Sequence, residues 1–507
     1  MVELFSLIKG LNAEECQLLK NSLRRYKGES SPSLMGKLFE TVRVRPVNAL
    51  SDVQLSQALY RKKKDVAIGK LKSRLFQHIL ETLGSETTLL KDDIFDVSDR
   101  QELRIRKKMY QFRVLYRKKN RADYVTLVHL LNEVIKEAKE YELYDVVLEA
   151  LRHKVLILRL RKGFKEVVEI EKQISYYDAA YTSLLRTYDI YYDLLTNIIH
   201  VQNKSPRQIK ASFRTNLKEI EGYIKQTGSA FITYIYKMLR LEELQREKKH
   251  QESIDVCLDL ISLIKSKRFL YREERMGNVY DNISQCQVYN GNFSEAIKCV
   301  QKAQKFYSKN LRSYIASKEQ EFHATFYAGD YKNALLLIEY ILNLSLDNIG
   351  EFSADRYLFL KSCAYFKLAR FRDSINICNT ALELTKDKGR WDLGIRYIRI
   401  MNMIELGDLD QADHSLEALR KSLNRNSKND FISARDMLIL KAFREYCSTG
   451  FNPKPSGYLI ELIQQLSAPD THLSWEYYSH ELFPIHEWIS SRLEYGPSKV
   501  AAYRRKR

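Results

Sequence analysis

Apolar residues recur every three or four positions along most of this chain, with Lys, Arg, Glu, Gln and Asn filling the gaps between them. That is the period of an amphipathic helix. No proline lies between Pro46 and Pro206, nor between Pro206 and Pro453, so the pattern predicts an almost wholly helical protein. The four stretches YNGNFSEAIKCVQKA (289–303), YAGDYKNALLLIEYI (327–341), KLARFRDSINICNTA (367–381) and ELGDLDQADHSLEAL (405–419) repeat one phrase at offsets of 38, 40 and 38 residues. A fixed period of that size in a helical chain predicts a solenoid of helical hairpins.

Each phrase has the same mechanics. Gly291, Gly329 and Gly407, each followed by Asn or Asp, supply the turn between two helices, and Ala369 stands in the third copy. Two residues on comes Phe293, Tyr331, Phe371 or Leu409, and three further on a small residue, Ala296, Ala334, Ser374 or Ala412, which lets the helices approach closely. Val300, Ile338, Cys378 and Leu416, then Ala303, Ile341, Ala381 and Leu419, continue the apolar stripe. Weaker copies are expected at 248–262, with Ser253, Cys257 and Leu260, and at 161–174, with Phe164, Val167 and Ile174, where Glu171 interrupts the stripe. Between them Ser205 and Pro206 start a helix.

These phrases resemble tetratricopeptide (TPR) repeats, whose G-[DN]-[FY]-x-x-A core they share. In the first copy Tyr280, Ile283 and Ser284 fill first-helix slots, while Gln287 stands where a tyrosine is expected. The period exceeds the roughly 34 residues of that family, which implies longer helices or loops. The opening LIKGLNAEE, the repeats, the stretch 138–159 and the tryptophan-bearing end together resemble a group of long TPR-like proteins of Bacteroidetes. The resemblance implies an all-α, TPR-like α-α superhelix over residues 91–450, a basic helical N-terminal module over 1–90, and a helical C-terminal cap with a basic tail over 451–507. In the module two helices are expected, within 5–26 and 55–83, around a looser middle.

The resemblance also implies a concave surface lined by the first helix of each repeat. It would carry Asn278, Asp281, Gln285 and Tyr289, then Glu319, His323 and Tyr327, then Arg356 and Tyr397, a mixed aromatic and polar lining suited to an extended peptide or helix. The lysine clamp of some TPR domains is not expected, because Asp281, Glu319, Phe359 and Tyr397 hold the corresponding positions.

Charge adds a second reading. Of the formal net charge of +19, residues 1–121 supply +12, from 26 Lys and Arg against 14 Asp and Glu. On the helix within 55–83, Ala67, Ile68, Leu71, Leu75 and Ile79 make an apolar face, and Lys63, Lys70 and Arg74 a neighbouring basic stripe that can follow a phosphate backbone. In 103–121 the packing stripe is Ile105, Met109, Phe112 and Tyr116. The alternative is therefore a nucleic-acid- or ribosome-associated protein; the ordinary meaning of such stripes is a wet helix face.

Catalytic motifs are missing. There is no phosphate-binding GxxxxGK[ST], no GxGxxG and no GxSxG. His480 and His486 in HELFPIHE, with Glu481 and Glu487, do not have metalloprotease spacing, and Pro484 separates them, so no metal or other cofactor is expected. Seven scattered cysteines without a CxxC, no signal-peptide pattern and no run of 18 apolar residues point to a cytoplasmic protein outside the membrane. The expected function is a non-catalytic scaffold that binds a protein partner.

Overall fold

Six chain reversals share one backbone construction, and it organises the repeats. Glu142, Lys248, Gly291, Gly329, Ala369 and Gly407 all have positive φ, between 52° and 84°. In each the residue's own N–H bonds the carbonyl three residues back, and the next N–H bonds the carbonyl five back: Gly291 N to Val288 O and Asn292 N to Gln287 O, Ala369 N to Phe366 O and Arg370 N to Tyr365 O. This pair of bonds satisfies carbonyls that a helix end leaves open and turns the chain sharply into the next helix. The repeat pattern locates five of the six, Lys248 through the weaker copy at 248–262, whose Ser253, Cys257 and Leu260 are buried; Glu142 carries a side chain that gave no turn signal.

The computed structural model describes residues 2–25, 33–44, 51–60, 65–83, 96–117, 123–159, 164–199, 206–307, 311–345, 354–384, 390–425, 433–449, 455–469 and 473–495. These are helical throughout apart from turns and one segment near the C-terminus, and contain no strand. The chain divides into two units, Met1–Glu137 and Ala138–Arg507.

In the first unit α1 (Val2–Gly10), α2 (Ala13–Arg25), α3 (Leu34–Val44), α4 (Asp52–Tyr60) and α5 (Asp65–Leu83) share a core that includes Leu4, Ile8, Leu19, Leu38, Phe39, Leu55, Ile68, Leu75 and Ile79. This corrects the expectation of two helices. Asn12 and Glu15 exchange backbone and side-chain hydrogen bonds of 2.8 and 2.9 Å, a reciprocal cap that starts α2 and separates it from α1. Ser51 and Gln54 do the same for α4, and the expected loose middle contains α3. Helix α6 (Val97–Arg117) buries Ile105, Met109 and Phe112, while Tyr116 is 39% exposed. Helix α7 (Tyr124–Glu140) follows.

The second unit continues with α8 (Tyr144–Leu158), α9 (Phe164–Ile199), α10 (Pro206–Thr227), α11 (Ala230–Arg246), α12 (His250–Ser266), α13 (Glu273–Tyr289), α14 (Phe293–Gln304), α15 (Leu311–Tyr327), α16 (Tyr331–Ser345), α17 (Ala354–Lys367), α18 (Phe371–Leu384), α19 (Arg390–Leu406), α20 (Leu409–Arg425), α21 (Ala434–Ser448), α22 (Gly457–Ser467) and α23 (Ile485–Tyr495). From α8 to α22 each helix packs on its chain neighbours, the arrangement of a TPR-like α-α superhelix. The small slots are fully inside: Ala296, Ala334 and Ser374 have no exposed surface, and Ala412 has 1%. Ser374 differs in chemistry for a reason, since its hydroxyl donates to Ser362 O at 2.8 Å and accepts from Asn402 Nδ2 at 2.8 Å, tying three helices together. The weak copy at 161–174 opens the 36-residue helix α9, which packs on α8 as the second arm of a pair, with Val167 buried and Ile174 half-buried; its turn residues 161–163 lie outside the described residues.

Ala369 pays a steric penalty at φ 56° that glycine escapes. Ala369→Gly is expected to stabilise the repeats by about 0.5–1 kcal/mol, after allowing for the looser unfolded chain. Gly329→Ala is expected to lose about as much. Urea unfolding followed by circular dichroism checks both.

Candidate partner-binding groove

The first helices of successive hairpins, α13, α15, α17 and α19, supply the residues expected to line a groove. Asn278 is exposed. Its Oδ1 and the half-buried Asp281 carboxylate face the Tyr307 hydroxyl at 2.7 and 2.9 Å, and Ser317 donates to Asp281 at 2.8 Å. Burial pushes the Asp281 carboxyl up to about 6, against the pull of these two donors. One turn further along, Gln285 is half-buried, and Tyr289 lies parallel to His250 with ring centroids 4.3 Å apart.

On α15 and α17 Glu319 pairs with the Arg356 guanidinium, and Arg356 also lies over the Trp391 ring at 5.0 Å. His323 is 2% exposed, 3.5 Å from Glu319 and stacked on Tyr327; burial and Arg356 hold its pKa below the usual imidazole value, although Glu319 pulls the other way. The Nε2 of His323 is the atom that faces Glu319, and its Nδ1 is buried without a hydrogen-bond partner among the described residues. Tyr397 is 1% exposed and belongs to the core, where its hydroxyl donates to Asp436 at 3.1 Å. The structure thus brings together Asn278 with Asp281, and Glu319 with His323, Tyr327 and Arg356, and keeps Tyr397 beneath the surface.

The face these residues form is already occupied. Residues 473–483, outside any helix, leave the end of the repeats as a finger and return. Its base is gripped by Arg435, 8% exposed, whose guanidinium donates to both Glu481 carboxylate oxygens at 2.5 and 2.9 Å, to Leu466 O at 2.8 Å and to Leu473 O. Glu481 is 4% exposed and also accepts the Ile485 N–H at 2.7 Å. Burial raises its carboxyl pKa while Arg435 opposes the rise. His486, beside the same guanidinium at 3.1 Å, is held down at about 4 by burial and by that positive charge. His480 meets Asp436 at 2.7 Å, and the chain here runs so close to α19 that a Cβ on Gly394 would strike the His480 carbonyl and the Phe359 ring. Beyond the finger, Trp488 Nε1 and Arg492 Nε both reach the buried Glu405 at 2.7 Å.

From that base the tip extends to the upstream helices. Tyr478 N donates to the Tyr327 hydroxyl at 2.9 Å. Its ring packs edge-on to His323 at 4.8 Å and beside Tyr289 at 5.7 Å. Tyr477 meets Tyr327 at 4.8 Å and Tyr289 at 5.6 Å, Trp475 meets Tyr477 at 4.6 Å, and Glu476 pairs with Lys248 at 2.7 Å. Next to the tip remains a cavity of about 600 Å³, lined by Gln245, Arg246, Lys248, His250, Gln285, Cys286, Tyr289 and by Pro469 and Ser474–Tyr477 of the C-terminal segment.

Sequence reasoning did not single out Arg435, Trp475, Tyr477 or Tyr478 as functional. The signal was present: SWEYY lies between Pro469 and Pro484, and rings in a stretch without helical period need some other surface to cover them. In HELFPIHE Glu481 is engaged by Arg435 and His480 by Asp436, and no cluster of three or more His, Cys, Asp or Glu suited to a metal occurs among the described residues. In the basic stripe Lys63 lies outside the described residues, while Lys70 and Arg74 are exposed on α5. Among the described residues no helix is long and apolar enough to cross a membrane.

No protein-family model matches the chain, and no curated protein matches it. Solved structures do. RapI is 13% identical, with a TM-score of 0.44, over 65% of this chain and 86% of its own. Aspartyl phosphate phosphatase F from Bacillus subtilis is 14% identical, with a TM-score of 0.43, over 76% and 98%. A signal-transduction ATPase with a tetratricopeptide repeat sensor from Pyrococcus horikoshii is 13% identical, with a TM-score of 0.42, over 85% of this chain and 64% of that one. Likeness this distant concerns helical-repeat architecture and carries nothing about activity.

Two measurements follow from this geometry. Glu481→Ala leaves the Arg435 guanidinium buried without its counter-charge, and is expected to cost about 3–5 kcal/mol by chemical unfolding. Asp281 binds its proton to a higher pH folded than unfolded, so its contribution to stability falls as pH rises from about 4 to about 6. In Asp281→Asn that fall, up to about 3 kcal/mol, is expected to vanish from the difference between melting curves at pH 4 and pH 7.

Proposed function

We propose that this protein is a non-catalytic scaffold whose TPR-like superhelix holds an extended segment of a protein partner on its inner face. The observation that carries the reading is the finger. Tyr289, His323 and Tyr327 accept a non-helical aromatic stretch of their own chain through ring contacts and a backbone hydrogen bond, the kind of chemistry by which peptides are recognised in grooves. In this reading Asn278, Asp281, Gln285 and Tyr289 form the upstream part of the binding surface, Glu319, His323, Tyr327 and Arg356 its centre, and Tyr397 supports it from the core.

All seven cysteines are free and five are buried, which supports work in a reducing cytoplasm. The resemblance to long TPR-like proteins supports a source among the Bacteroidetes. A photo-cross-linking amino acid at Gln285, beside the cavity, is expected to capture one partner through one contiguous peptide in the native cell. Capture no greater than from the exposed Lys298 on α14 overturns the scaffold reading.

A further inference from the structure

The finger is held unequally along its length. Its base rests on the buried pairing of Arg435 with Glu481 and on Phe483, which stacks on Phe366 at 5.5 Å beneath Lys367. Its tip is compromised. Glu476 and Lys248 meet with side chains 55% and 60% exposed, a pairing that water and salt weaken. Tyr478 has φ 61°, a left-handed conformation that costs any residue with a Cβ. Its hydroxyl is buried without a partner among the described residues, and so is Nδ1 of the His323 ring it packs against. A bound segment that leaves polar atoms unpaired on both sides of its contact is a poor match for its site. Beside it lies open space with Lys248 and Arg246 on the wall.

We propose that the tip, residues 474–479, is an exchangeable occupant of the groove, and that the partner's segment carries an acidic residue followed by two aromatic residues, the second lacking a hydroxyl. Such a segment enters through the cavity, takes Lys248 from Glu476, and seats a phenyl ring against His323, Tyr327 and Tyr289 where Tyr478 strands its hydroxyl. Arg435 keeps the base in place throughout, so exchange needs no unfolding of the repeats. This rests on the scaffold reading and adds the partner's chemistry to it.

The test is a labelled peptide of residues 473–479 with Tyr478→Phe, titrated by fluorescence anisotropy into the full chain. A second chain carries Trp475→Ser, Glu476→Ser, Tyr477→Ser and Tyr478→Gly, which empties the tip and leaves Arg435 and Glu481 untouched. Binding to the emptied chain is expected to be at least about tenfold tighter than to the parent. Lys248→Glu in the emptied chain is expected to weaken it by about tenfold, and a peptide with Glu476→Lys to recover the loss. Equal binding to both chains, or binding to neither, overturns the proposal. Should the emptied chain fail to fold, hydrogen exchange in the parent decides: tip amides exchanging about tenfold faster than those of α23 support exchange, and amides as slow as α23 overturn it. A concentration-dependent dimer of the emptied chain with parent-like tip protection makes the occupant a second copy and overturns the assignment to a partner. A captured partner at Gln285 with no peptide binding sinks this inference alone; peptide binding with no captured partner sinks the scaffold reading and, with it, the assignment of that chemistry to a partner.

Discussion

A single left-handed residue, closed by two backbone hydrogen bonds, reverses the chain in the same way at Glu142, Lys248, Gly291, Gly329, Ala369 and Gly407. Because the backbone sets this geometry, the second helix of each of the four downstream pairs begins two residues later on Phe293, Tyr331, Phe371 or Leu409, whatever the side chain at the turn itself. The small residue three positions on then falls at the helix crossing, where Ala296, Ala334, Ser374 and Ala412 are buried and a larger side chain would force the pair apart. Repeating that unit lines the first helices up side by side. The face these helices share exists because the turns agree.

What fills that face is held by chemistry of two kinds. At the finger's base, charges are buried and fully engaged, as in the five-fold use of Arg435 by Glu481, His486 and two carbonyls; removing one partner strands another in a medium that cannot solvate it. At the tip the contacts are rings, one amide and one exposed ion pair. The division leaves a firmly fixed frame and a less firmly held tip, and local opening draws on the least stabilised elements.

Much of the fold was legible. The glycine turns, the small slots and the apolar stripes gave the repeats, because each depends on residues close together in sequence. Glu142 escaped notice because a left-handed turn does not require glycine when the flanking helices hold it. The N-terminal module read as two helices because caps such as Asn12 with Glu15 interrupt an apolar period without breaking it. Tyr289, His323 and Tyr327, singled out by their repeat positions, lie against Tyr477 and Tyr478, whereas Arg435 looked like any other arginine among 83 basic residues.

By itself the sequence determined where helices run, where they reverse and which faces pack, since these follow from φ preferences and from spacing along one helix. Only the tertiary structure decided that Trp475, Tyr477 and Tyr478 cross the inner face to reach Tyr289 and Tyr327, that Arg435 meets Glu481, and that Tyr397 lies inside. Those outcomes join residues 39 to 189 positions apart, as Tyr397 with Asp436 and Tyr289 with Tyr478. No local period encodes such pairings; they come from the accumulated rotation of stacked hairpins, which sets which distant side chains the returning chain can touch.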